Sequence, residues 1–153
     1  DSILFSGTIL DNIRYSDETI SKEEVIEVAK QIGAHHFISQ LEKSYETYIS
    51  GNTDTLSQGQ KQLLCLVRAK LRNTPVLILD EATSNIDTRT EKIVQDGMDK
   101  LMHGKTVFVI AHRLSTIIDS DVIMVLENGE IIERGTHAQL LAKNNVYANL
   151  YNG

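Results

Sequence analysis

The sequence predicts an α/β fold in which parallel strands joined by crossover helices follow a mostly helical part. Residues 76–79 are wholly apolar, as a strand covered on both faces requires, and residues 106–111 read as a second such strand. Between them a helical pattern spans residues 88–102 and is closed by Gly104, and this alternation signals a parallel sheet. Ahead of Pro75 the text is helical. The chain accordingly divides into residues 1–75 and residues 76–153.

Each element has its own local signal. At residues 21–33, Ser21 and Glu24 fit the capping box, in which a hydroxyl takes a first-turn amide while the acid reaches back to the cap. Val25, Ile26, Val28, Ala29 and Ile32 make the apolar face, and Gly33 stops the helix. A short helical turn is predicted at Phe37, Ile38 and Leu41. The next helix opens at "LSQGQ", residues 56–60, where Ser57 and Gln60 again fit a capping box. Leu63, Leu64, Leu66, Val67 and Leu71 take its buried side, and Arg68, Lys70 and Arg72 lie toward its C-terminal end, where cations suit the dipole. Asn73-Thr74-Pro75 breaks it. Further on, residues 121–126 and 130–134 flank Glu127-Asn128-Gly129, a hairpin signal, and short helices are predicted over 137–143 and 147–151.

Composition narrows the function classes. With 153 residues, 41% of them hydrophobic and 24% charged, the chain has the makings of one ordinary core, or of a large piece of a bigger domain. Its apolar runs are far shorter than the roughly 20 residues that a membrane span needs. Fifteen Lys and Arg against 21 Asp and Glu give a net charge of -6, the wrong sign for holding nucleic acid through the overall field. No nucleic-acid partner is expected. Cys65 is the single cysteine, so no internal disulfide forms, and its apolar neighbours suggest a core position. The start at Asp1-Ser2-Ile3, without Met, reads as that of an excised fragment. His35, His36, His103 and His137 lack zinc-ligand spacing, and Tyr45 and Tyr48 are too few and too acid-flanked to stack bases.

The chemistry gathers at three places. Ser57, Gln58, Gly59 and Gln60 open a helix whose free amides and positive dipole end favour an anion, phosphate above all, and Gly59 leaves the backbone open to close approach. Yet no G-x-x-x-x-G-K-[ST] loop is present, so the phosphate has no cradle in these residues. Asp80 and Glu81 end the first buried strand, where open α/β sheets bind ligands; an Asp there can hold Mg²⁺ through water and a Glu can orient or deprotonate an attacking water. Two acids at a strand end can also be mere punctuation, but the apolar strand before them and the polar turn after them favour the functional reading. His112 ends the second strand, on the edge that parallel pairing gives it in common with Asp80 and Glu81. Asp87 fits two readings equally: a cap for the helix at Thr88, or a member of the site.

Taken in order, "LSQGQ", "VLILDEATSNID" and "TVFVIAHRLSTI" resemble the signature motif, the Walker B motif with D-loop, and the H-loop of an ATP-binding cassette (ABC) ATPase. "ILFSGTILDNI" near the start and "ENGEIIERGTHAQLL" near the end resemble the exporter branch of that family. The resemblance runs essentially from end to end. It implies a partial P-loop NTPase core in residues 76–153, with Walker B, D-loop and H-loop, and a helical signature subdomain with the end of the Q-loop in residues 1–75. It further implies ATP and Mg²⁺ as cofactors, ATPase activity coupled to transport, membrane-spanning domains as partners, and a place on the cytoplasmic face of a membrane.

In the family two cassettes pack head to tail, and each signature helix caps ATP held by the other's Walker A loop. By this resemblance Ser57, Gln58, Gly59 and Gln60 touch the partner's nucleotide, Asp80 supports Mg²⁺ through water, and Glu81 is the catalytic base. Asp87 connects the two sites, and His112 contacts the γ-phosphate in its own subunit's site. The chain departs from the family pattern at Gln58, where Gly is commonest, and at Asn85-Ile86 ahead of Asp87. It also lacks the Walker A segment and the glutamine expected just before Asp1, so the fragment alone is expected to be inactive. The rival reading is a non-hydrolytic interaction module that donates its signature helix to a partner cassette.

Overall fold

A computed structural model describes residues 3–15, 17–50, 56–80, 86–111 and 114–152. The chain divides into two compact units, Asp1–Ile78 with Ala82–Phe108, and Leu79–Glu81 with Val109–Gly153.

The first unit opens with strand β1 (Gly7–Thr8), which pairs antiparallel with β2 (Tyr48–Ile49), and runs straight into helix α1 (Ile9–Arg14). Thr8 caps α1 in a full box: its hydroxyl accepts from the Asp11 amide at 3.0 Å and its own amide donates to Asp11 Oδ2 at 3.0 Å. Asn12 lies buried on α1 and is fully engaged. Its Oδ1 accepts from the Phe5 amide at 2.8 Å, while Nδ2 donates to the Phe5 carbonyl at 2.9 Å and the Thr8 carbonyl at 3.0 Å.

Helix α2 (Lys22–Ile32) carries the predicted Ser21 and Glu24 box, with Gly33 as its left-handed end, and the predicted turn that follows is helix α3 (His35–Gln40). Helix α4 (Gln58–Arg72) follows its predicted bounds and ends at Asn73, in the left-handed region. Helix α5 (Thr88–Met102) also matches its predicted span. Three helices, α1, α2 and α5, pack on α4, whose Leu63, Leu64, Leu66 and Val67 are buried among them. Apolar side chains three and four apart thus cover most of the helix girth, because three neighbours need three faces. Cys65, expected in the core, is instead half-buried on the remaining side.

Strands β3 (Val76–Asp80) and β4 (Thr106–Ile110) pair as a two-stranded sheet. The Thr106 amide donates to the Pro75 carbonyl at 3.1 Å, so the strands begin side by side and run in the same direction. The apolar run at 76–79 was expected to be covered on both faces. Leu77 is buried, but Val76 and Ile78 are 50% and 71% exposed, and Phe108 and Ile110 on β4 are 52% and 53% exposed. Alternation along a strand explains the difference, since successive side chains point to opposite faces and only one face is covered among the described residues.

In the second unit β5 (Ile123–Glu127) and β6 (Glu130–Gly135) form an antiparallel hairpin. Asn128 and Gly129 turn it with φ of 51° and 84°, the pair of positive values that a two-residue loop needs to match strand twist. The register shifts between Val125 and Leu126, which leaves Ile132 as an extra residue on β6. Helices α6 (His137–Lys143) and α7 (Val146–Asn152) follow, and Leu140 and Tyr147 pack on Ile123 to make the core of this unit. Glu133 is buried, with Oε2 accepting the Tyr147 amide at 2.7 Å, so a carboxylate satisfies an orphan donor of the first turn of α7.

Asn12→Ala would leave the Phe5 amide and two carbonyls without partners, and should lower stability by about 1–3 kcal/mol in urea titrations. A loss below about 0.5 kcal/mol would mean that water replaces all three bonds.

Candidate functional site

The first turn of α4 is built by its cap. The Ser57 hydroxyl accepts the Gln60 amide at 3.2 Å, and Gln60 Oε1 accepts the Ser57 amide at 2.9 Å. Ser57 and Gln58 are exposed. Among the described residues nothing takes the amides of Gln58 and Gly59, and the Ser57 O–H, which accepts in the cap, retains a proton to donate. Helices α1, α2 and α5 each carry an acid in their first turn, whereas α4 has none. Two unclaimed amides, one hydroxyl and an uncompensated dipole end therefore meet in a turn that is exposed at Ser57 and Gln58 and buried at Gly59, and this combination suits an anion.

Gly59 serves a second purpose that the sequence did not reveal. A β-carbon there would run into Thr90 Cγ2 and come within 3.1 Å of Ile86 Cγ2. The α-carbon of Gly59 thus faces the start of α5 rather than open space, and its absent side chain lets the two helices meet. Asp87 is the cap of α5, with Oδ1 accepting the Thr90 amide at 2.9 Å. The Thr90 hydroxyl and amide together hold the Asp87 carboxyl below the usual carboxylate range. The structure therefore brings Ser57, Gln58, Gly59 and Gln60 into one turn and seats the segment 86–90, with Asp87, against it.

Asp80 closes β3 with an exposed side chain, at the end of the strand pair where a parallel sheet offers its ligand edge. Glu81 and His112 lie outside the described residues, as does Asn85. Two shallow cavities, of about 370 and 450 Å³, lie elsewhere, beside the C-terminal half of α4. Lys70 and Lys100 line the second, but their amines already reach helix-end carbonyls, Lys100 at 3.3 Å and Gln31 at 3.0 Å.

Against known proteins, the family model described as ABC transporter matches residues 2–84, more than half of the chain. The chain belongs to the ABC transporter family. Among its relatives, the uncharacterized ABC transporter ATP-binding protein YfiC of Bacillus subtilis is 50% identical over 151 residues, 99% of this chain and 25% of that protein. ABC transporter B family member 2 of Dictyostelium discoideum is 49% identical over 150 residues, 98% of this chain and 11% of its own length. Among solved structures, a bacterial Atm1-family ABC exporter with ATP bound superposes with a TM-score of 0.87 at 40% identity, over 99% of this chain and 27% of that one. The chain thus spans about a quarter or less of the length of these ABC proteins.

The sequence does not reveal the contacts of two residues of this ABC chain: Asn12, and Arg68, which reaches from α4 to the segment before α1 and to α1 itself. The T-x-x-D pattern of Thr8 and Asp11 was the available signal for α1; nothing local announces a contact 56 residues away.

Gly59→Ala would normally favour a helix by up to about 1 kcal/mol, so a net loss of about 1–3 kcal/mol would be diagnostic of the close approach to Thr90. Thr90→Ser, which deletes Cγ2 but keeps the hydroxyl, should recover most of it in a double-mutant cycle, whereas additive effects would contradict the contact. Acid should weaken the α5 cap. The depressed folded pKa of Asp87 means that its contribution is present above the unfolded value, about 4, and is lost as pH falls through the folded value. The gap in melting temperature between wild type and Asp87→Ala should therefore narrow on acidification from neutrality, and a gap that widens would contradict the assignment.

Proposed function

We propose that this chain is the C-terminal part of the nucleotide-binding domain of an ABC exporter, in which ATP binding and hydrolysis drive transport across a membrane. The observation that carries the reading is the capped, acid-free first turn of α4, where Ser57 and Gln58 are exposed and the amides of Gln58 and Gly59 have no acceptor among the described residues. Such a turn has phosphate-binding chemistry but no phosphate-binding loop beside it in sequence. A phosphate brought by a second nucleotide-binding domain, packed head to tail, supplies what is missing. The Atm1-family exporter with ATP bound supports the same reading.

In this proposal residues 57–60 of one protomer donate to the phosphates of ATP held by its partner. Asp80 supports Mg²⁺ through water, a cation that neutralises phosphate charge when bound, and Glu81 accepts a proton from the attacking water. His112 contacts the γ-phosphate in its own subunit's site. Asp87, at the turn that meets Gly59, links one site to the other. In this proposal membrane-spanning domains are partners of the chain, which lies at their cytoplasmic face; among the described residues no helix is long and apolar enough to cross a membrane. The isolated chain, with no loop to position a phosphoryl group, is expected to show no specific ATPase activity.

In the full-length protein Glu81→Gln should keep ATP binding and slow hydrolysis by about 10²–10⁴-fold, as loss of a general base does. Near-normal single-turnover rates would overturn the assignment of Glu81 and move the base elsewhere. Ser57→Arg, placed where phosphate must approach, should leave nucleotide binding nearly intact and block ATP-driven dimer formation in the Glu81→Gln background. Undiminished dimerisation by light scattering would overturn the trans-capping role.

A further inference from the structure

Arg68 stands on α4 eleven residues beyond its cap, about 16 Å along the axis at the rise of an α-helix. Its guanidinium is turned to the first residues of the chain through Nε and Nη1, while Nη2 is buried without a hydrogen-bond partner among the described residues. Nε donates to the Asn12 carbonyl at 2.9 Å and Nη1 to the Ile3 carbonyl at 3.1 Å. The same group lies 5.8 Å from the Phe5 ring centroid and 5.2 Å from that of Tyr15, and the two rings are themselves 5.4 Å apart. One turn later, Arg72 repeats the pattern more weakly, 5.5 Å from the Tyr15 ring and with Nη2 on the Tyr15 carbonyl at 3.3 Å. Asn12, buried inside the same segment, ties Phe5 to α1, so residues 3–15 form a small rigid piece held to α4 by two arginines.

We propose that Arg68 is a positioning residue: by clamping residues 3–15 to the far part of α4, it sets the direction in which the helix presents its first turn. The inference rests on the reading of that turn as a phosphate cap. Leverage supplies the reason. At this separation a tilt of a few degrees about the clamp displaces the Gln58 and Gly59 amides by about 1 Å, an error that can cost about 10²-fold in rate. The forked, planar guanidinium suits the task, because it holds two carbonyls and two ring faces at once. A lysine ammonium is a single point charge that cannot.

The test uses the full-length protein and MgATP. Arg68→Gln and Arg68→Lys should both lower kcat by about tenfold or more while KM for ATP stays within about twofold, since this arginine positions the cap and does not hold the nucleotide. In the Glu81→Gln background both should weaken ATP-driven dimer formation measured by sedimentation. Tyr15→Leu removes one stacking face but leaves every carbonyl acceptor, and guards against an Arg68 variant that fails to fold; it should lower kcat in the same sense, and the Arg68→Lys, Tyr15→Leu double variant should be little worse than either single one. Wild-type kcat in Arg68→Lys, or a rise in KM that accounts for the whole loss, would overturn the proposal. If Ser57→Arg blocks dimer formation while Arg68→Gln leaves kcat and dimerisation untouched, the positioning role alone falls. If Ser57→Arg dimerises normally, the phosphate-cap reading falls with it.

Discussion

Helix α4 has to be held on three sides and left bare at one end. Its apolar residues are buried against α1, α2 and α5, yet its first turn is exposed at Ser57 and Gln58, with two amides unclaimed among the described residues. Burial fixes the axis and exposure leaves the end available. Neither would serve without the other, since a loosely held helix end is a poor electrostatic tool and a buried one has its donors already spent. Gly59 shows how tightly the two demands meet. It is the buried residue of that turn, and its missing side chain is what admits Thr90 and lets α5 support the turn from beneath.

The charge distribution follows the same logic. Acids in the first turns of α1, α2 and α5 offset their dipoles, whereas α4 relies on a neutral Ser57 and Gln60 box. Lys70 and Arg72 sit at its other end, where cations are favourable, so the helix is stabilised at its C-terminus and left uncompensated at its N-terminus. Apolar surface is uncompensated too. Val76, Ile78, Phe108 and Ile110 expose a face of a two-stranded sheet that a larger sheet or a covering layer would bury. The chain spans about a quarter or less of these relatives' length.

Much of this was legible in the sequence because the signals are local. The boxes at Ser21 and Ser57, the breaks at Gly33 and Asn73, the span of α5 and the Asn128-Gly129 turn all follow from residues a few positions apart. Helix α1 was missed because it is one short turn and a half whose cap uses Asp in place of Glu or Gln. The two-faced burial at 76–79 failed for another reason: periodicity reports what a strand is suited to, not what is present to cover it. At the site, Ser57 to Gln60 and the capping role of Asp87 could be read directly, while the reason for Gly59 could not. It depends on Thr90, 31 residues downstream, and no spacing rule connects them. Arg68 was placed merely as a basic residue near a helix end, and its grip on residues 3–15 is equally non-local.

The central claim is that the first turn of α4 receives a phosphate from a second nucleotide-binding domain. Backbone hydrogen exchange at Gln58 and Gly59 tests it most directly, in full-length Glu81→Gln protein with and without MgATP. These amides have no acceptor among the described residues, so in the absence of nucleotide they should exchange faster than the bonded Lys61 amide, with exposed Gln58 faster than buried Gly59. Slowing of both by about tenfold or more on ATP-driven dimerisation, with little change at the already bonded Lys61 amide, is the predicted result. Unchanged exchange at Gln58 and Gly59 in a protein that has demonstrably dimerised around ATP would contradict it.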